Sequence, residues 1–212
     1  MTCSGPPGGY HHLVMSDAGV VLIPHSLTEA RLYVKTRRCA SCGEGPLLIS
    51  REAPVYDAAA HGLTVTVVCD ECGQPASIRF CVAELERRGP VLSMLDELRD
   101  VSQQPAAQVI NPTRRPSRLI DVAGWVMLYT MLTEAARTES VKSTSIERRA
   151  AVRRMRIEAA LCLDEALKFF DEDSDLPPRE AFFTKESYGR FLDRPELYTR
   201  QRLIEMRGQS PR

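Results

Sequence analysis

Apolar positions change their period after about residue 82, and the change predicts two kinds of structure. Before it, the Leu63-Thr-Val-Thr-Val-Val68 and Ala76-Ser-Ile-Arg-Phe-Cys-Val82 runs are β-branched or alternating, as in strands with one buried face. Leu47-Leu-Ile-Ser50, after a Gly45-Pro46 turn, predicts a further short strand, and residues 53–62 are expected as a loop. Upstream, a short apolar run from Val20 to Pro24 leads into Ser26-Leu-Thr-Glu29. That is a capping-box pattern, in which the Ser26 hydroxyl and the Glu29 carboxylate satisfy reciprocal backbone donors, and it predicts a helix from Leu27 to about Lys35. Leu32, Val34 and Thr36 also alternate with Tyr33 and Lys35, so a strand competes there. Leu92, Leu95 and Leu98 recur at helical spacing within a predicted helix over Glu84–Gln104, broken at Gly89-Pro90.

Beyond this point the pattern is helical throughout. Pro105, Pro112 and Pro116 mark a linker over 105–116. Ser117 can cap a helix running to about Arg137. Its apolar residues, from Leu119 through Trp125 to Leu132, lie nearly all round and predict a central, buried helix. A polar link over 138–144 separates it from a helix capped by Ser145, with a seam at Val152, Met155, Ala159, Cys162, Ala166 and Phe169. Together they form an αα-hairpin. Ala159, Leu163, Ala166 and Leu167 are similar to the second helix of a tetratricopeptide repeat, but no second copy occurs at the expected period, so no solenoid follows. Asp171, Asp173 and Asp175 mimic the start of a calcium loop. Leu176 and Phe182 stand where glycine and glutamate are required, so a solvated acidic turn is expected instead. Phe182, Phe183, Tyr188, Phe191 and Leu192 supply area to dock back on the hairpin. Asp193-Arg-Pro-Glu opens a last helix to about Met206, with Pro195 in its first turn. The fold class is therefore α+β: a small antiparallel sheet followed by an all-helical αα-hairpin domain. The expected boundaries are a mostly disordered tail over 1–25, a sheet unit with flanking helices over 26–104, the linker, and a helical domain over 117–212.

Chemistry concentrates on either side of the first two strands. The chain reads Cys39-Ala-Ser-Cys42-Gly43 and, with 26 residues between Cys42 and Cys69, Cys69-Asp-Glu-Cys72-Gly73. Two Cys-x-x-Cys-Gly hooks bring four thiolates to one tetrahedral zinc, each about 2.3 Å from the metal, and the glycines allow the turn that aims backbone N–H groups at sulfur. Over residues 35–82 the chain resembles the zinc-ribbon family. The resemblance implies two knuckles at the ends of short antiparallel strands and one structural Zn²⁺ held by Cys39, Cys42, Cys69 and Cys72. So small a sheet buries little, so the metal is expected to be required for its folding. Cys81 reads as a buried side chain in its strand, with ligation as the alternative. His61 could replace a ligand but falls in the predicted loop, and His11 and His12 with Cys3 lie in the tail.

Composition limits what else the chain does. It has 212 residues, 43% hydrophobic and 26% charged, and a net charge of zero, so no global field favours a polyanion. No secretory signal or membrane-length apolar run is visible, and the cysteine usage fits a reducing compartment, so the expectation is cytoplasmic with no membrane partner. A Cys₄ zinc has no vacant position, and no phosphate loop, nucleophile elbow or paired-histidine motif occurs, which leans away from an enzyme. Arg149, Arg153 and Arg156 share one face of the long helix, near the positive end of its macrodipole. They are the candidate partner-binding residues, for an acidic protein segment or for self-association of two antiparallel copies. Nucleic acid is the rival partner, through Lys35, Arg37 and Arg38 and this same arginine face. Against it, Cys39–Val82 holds Arg51 and Arg79 but Glu44, Glu52, Asp57, Asp70 and Glu71.

Overall fold

Ser26, as expected, begins a helix. Its Oγ accepts the Glu29 N–H at 3.0 Å, and α1 runs over Leu27–Lys35. The reciprocal half of the capping box does not form. The Glu29 carboxylate accepts the backbone N–H of His25 instead of that of Ser26, and sits 3.1 Å from His25 Nδ1. A computed structural model describes residues 22–56, 61–81, 109–142 and 145–209. The chain divides into two units, Met1–Gln104 and Pro105–Arg212. Of the tail expected over 1–25, residues 1–21 lie outside the described residues, as do the expected helix over Glu84–Gln104 and residues 105–108, while Leu22 and Pro24 are buried.

In the first unit, β1 (Leu47–Tyr56), β2 (His61–Cys69) and β3 (Pro75–Cys81) form an antiparallel sheet in the order β1-β2-β3. Residues 53–56 and 61–62 are therefore strand, not part of the loop expected over 53–62. Pro54 lacks an N–H, but β1 is an outer strand of this sheet, where one side of the backbone needs no sheet partner, and Pro54 pairs in register with Leu63. The register slips between Ile49 and Arg51, and Ser50 donates its hydroxyl to the Thr66 carbonyl. Leu63, Val65, Val67 and Cys69 of β2 are buried with Ile78 and Phe80 of β3. Alternation along these strands thus produces one buried face, and α1 brings Ala30, Tyr33 and Val34 into the core. The Tyr33 ring meets Phe80 edge-on at 6.0 Å. Arg31 grips Glu52 of β1 with two charge-assisted hydrogen bonds, 2.8 and 2.9 Å. Leu22 bridges β3: its carbonyl accepts the Cys81 N–H at 2.7 Å.

In the second unit, α2 is Val122–Lys142 and α3 is Ile146–Leu167. The expected start at Ser117 is too early. Ser117 Oγ instead accepts the N–H groups of Leu119 and Ile120 in a preceding turn. Asp121 caps the helix through Gly124 N–H at 2.8 Å, and its other oxygen accepts Phe183 N–H at 3.0 Å. The helix also runs past Arg137. Trp125, Val126, Leu128 and Leu132 are buried, but Met131 is exposed, so enclosure on all sides holds only for the first turns. Ser145 caps α3 as expected, and Val152, Ala159, Cys162 and Ala166 of the seam are buried.

After the hairpin come a 3₁₀ turn at Arg179–Ala181, α4 (Lys185–Asp193), a second 3₁₀ turn at Pro195–Tyr198 and α5 (Arg200–Gly208). Pro195 thus opens a separate turn, and the last helix starts later, capped by Thr199. Phe182, Tyr188, Phe191 and Tyr198 pack ring against ring. Residues 110–113, in the stretch expected as linker, are built into this unit. Ile110 and Asn111 are buried, Lys168 Nζ donates to the carbonyls of Asn111 and Thr113 at 2.9 Å each, and Glu165 Oε1 accepts from Asn111 N–H and Lys168. Among the described residues, no helix is long and apolar enough to cross a membrane.

Candidate metal centre

Leu47 at the start of β1 pairs with Cys69 at the end of β2. The segment just before β1 and the one just after β2 therefore emerge at the same end of the hairpin, and each carries one Cys-x-x-Cys hook. The two hooks turn alike. Gly43 N–H donates to the Cys39 carbonyl and Gly73 N–H to the Cys69 carbonyl, both at 2.9 Å. The return bonds run from Cys39 N–H to Glu44 and from Cys69 N–H to Gln74, at 2.6 and 3.0 Å. Both turns need a left-handed residue, and Gly43 (φ +76°) and Gly73 (φ +69°) supply it. Asp70 N–H donates to the Pro46 carbonyl at 3.0 Å and ties one hook to the other.

This repetition brings four sulfurs together, all within 4.8 Å of one another. Cys39 and Cys72 are 3.6 Å apart, and Cys42 and Cys69 are 3.7 Å apart. A tetrahedron with ligands about 2.3 Å from its centre has edges of about 3.8 Å. The donor set and its spacing fit a metal ion that takes four soft ligands, and these cysteines could coordinate one. Cys39 and Cys69 are buried, whereas Cys42 and Cys72 are exposed.

Backbone polarity differentiates the thiols. The N–H groups of Cys42 and Ser41 bond to the Cys39 sulfur and lower its pKa to about 6, against opposing desolvation. At Cys42 the Glu44 N–H favours the thiolate. Desolvation and hydrogen bonds to Cys72, Cys69 and Cys39 outweigh it and push that thiol up to about 12. Cys72 is raised similarly: Gln74 N–H opposes the shift, while desolvation and the Cys39 sulfur drive it. These N–H donors were not named by the spacing alone, although the glycine after each second cysteine was the signal for them.

Cys81 and His61 stand apart from the centre. Cys81 is buried and pairs with Gly62, seven residues along β2 from Cys69, a span of about 23 Å. His61 pairs with Tyr56 one residue further out. Strand geometry keeps both away from the sulfurs.

The basic residues separate into two groups. Lys35 and Arg38 are exposed beside the first hook, while Arg37 lies over the Tyr33 ring, 5.5 Å from its centre. Arg149, Arg153 and Arg156 are exposed along α3, and among the described residues none of the three makes an ion pair. Their neighbour Arg148 is paired with Glu139 of α2 at 3.2 Å. No family model matches this chain, and neither does any curated protein or solved structure.

Proposed function

We propose that this protein is a non-enzymatic interaction module whose first unit is held by one structural zinc and whose helical unit docks a protein partner. The four-sulfur cluster carries the reading. Four thiolates from two hooks saturate a tetrahedral zinc, leaving no position for substrate or activated water. Such a metal would brace the small core that the three strands and α1 build, and it would make the sheet a rigid platform. The docking side rests on the exposed row of Arg149, Arg153 and Arg156, whose charges are not absorbed by ion pairs among the described residues.

Nucleic acid is the competing partner, and the basic residues beside the first hook favour it. Their reach is reduced, because Arg37 is engaged with Tyr33 and Glu44, Asp70 and Glu71 are exposed around the hooks. Elemental analysis of the purified protein should give one zinc per chain, lost in Cys42→Ser and kept in Cys81→Ser. A wild type with no zinc, or with two, overturns the reading. Binding of mixed-sequence duplex and single-stranded oligonucleotides at two salt concentrations tests the rival, whose affinity would fall steeply with salt.

A further inference from the structure

The arginine row of α3 belongs to a longer stripe. Positions 149, 153, 156, 160, 163 and 167 follow one another at spacings of three and four, so they lie along one face of the helix. Over its length the face changes character. Arg149, Arg153 and Arg156 are exposed, whereas Ala160 and Leu163 are buried.

What lies against the second half is α5. Arg200, at its start, donates its backbone N–H to the Asp175 carbonyl at 2.8 Å and its guanidinium to the Asp171 carbonyl, both just past the end of α3. Arg207, near its end, donates to Asp164 Oδ1 at 2.8 Å. So α5 runs antiparallel to α3, from its end toward its start. Tyr129 Oη reaches the Met206 carbonyl at 3.5 Å, so α5 also touches α2. The helix ends at Gly208, about two turns short of Arg156.

We infer that the stretch of hairpin surface beyond α5 is a docking site for an acidic amphipathic helix of a partner protein, laid in line with α5. This inference rests on the interaction-module reading and names its partner class. Charge complementarity carries it. Where α5 is seated, α3 offers Asp164 and α5 answers with Arg207; beyond α5 the same face offers three arginines, so the complementary helix is acidic. The row spans about 10 Å, which carboxylates at i, i+4 and i+7 of a facing helix match. At the tip, Ile146 (78% exposed) precedes Arg149 by one turn and Val141 (81%) lies in the last turn of α2, so apolar side chains at one end of the partner helix have surface to cover.

The test uses the full-length, metal-loaded protein. Three labelled probes are followed by fluorescence anisotropy. They are a helical peptide of about 18 residues with glutamates at i, i+4 and i+7 and leucines at one end, its lysine-for-glutamate counterpart, and mixed-sequence duplex DNA. The glutamate peptide should bind, the lysine peptide should not, and Arg149→Glu/Arg153→Glu/Arg156→Glu should weaken binding by about tenfold or more. Circular dichroism and zinc content should be unchanged in that variant, since all three side chains are exposed. Absent binding, or binding equal in the variant, overturns the proposal, as does tighter duplex binding that the variant abolishes. A concentration-dependent dimer abolished by the variant overturns it in favour of a second copy. Any of these results with one zinc still bound removes the acidic-helix site alone; an absent zinc counts against the underlying reading.

Discussion

Cys39 and Cys42 carry the same thiol three residues apart, yet backbone donors and neighbouring sulfurs set them at about 6 and about 12. At neutral pH, before metal binds, Cys39 is therefore mostly thiolate, while Cys42 and the raised Cys72 hold their protons. Coordination must displace at least those two protons. The depressed group stabilises the fold above its ordinary range near 9, and that contribution is lost as pH falls from there through about 6. The raised group works in the opposite sense: its protonated form is favoured below the ordinary range, and that contribution disappears as pH rises through about 12. Apparent metal affinity should thus tighten by at least about a hundredfold per pH unit near neutrality, measured by competition with a chromophoric chelator. A flat profile would contradict the assignment of protons. The four-cysteine cluster itself was legible in the sequence, because hook spacing is a covalent property of the chain. The unequal thiols were not, because they depend on which N–H each turn directs at which sulfur.

At the scale of elements, helix starts show where local reading ends. Ser117 and Asp121 are both competent caps before an apolar run, and the sequence offers no local reason to prefer the second. The choice is made by Phe183, 62 residues away, whose N–H reaches the free oxygen of Asp121. Asp121→Ala should destabilise the helical unit by about 2–4 kcal/mol, since it removes a cap and leaves a tertiary N–H unpaired. Ser117→Ala should cost about 1 kcal/mol. Urea denaturation followed by far-ultraviolet circular dichroism measures both, and equal losses would mean that the Phe183 contact contributes nothing. The misread 53–62 stretch has a similar origin. Pro54 is a turn signal on its own, and only the outer position of β1 makes it compatible with a strand. By contrast, β2 and the seam of α3 were legible because burial imposes a period of two or of 3.6 wherever a face packs.

For the molecule as a whole, the α+β class follows from the change of period along the chain. The second unit has its own core, with Trp125, Leu128, Leu163 and Phe182 fully buried and no cysteine hook among its residues. A fragment spanning 105–212 should keep its helicity with or without chelator, and loss on chelation would show that the units share one core. Starting the fragment at 116 should be worse. It removes Ile110 and Asn111 and takes from Lys168 two of its carbonyl partners, beside a buried Glu165. Its midpoint should fall below that of the longer fragment in thermal melts.

The small sheet also carries a consequence for how copies of this chain meet. Any short antiparallel sheet can template its own polymer, by offering its outermost backbone groups to the next copy. Here a copy approaching β1 meets the break in register at Ser50 and then the missing N–H of Pro54. A copy approaching β3 finds the Cys81 N–H already taken by Leu22. Among the described residues, growth is checked at both borders by single residues. Removing the chain up to Pro24 would lift one of those checks and open the Cys81 N–H to a further strand.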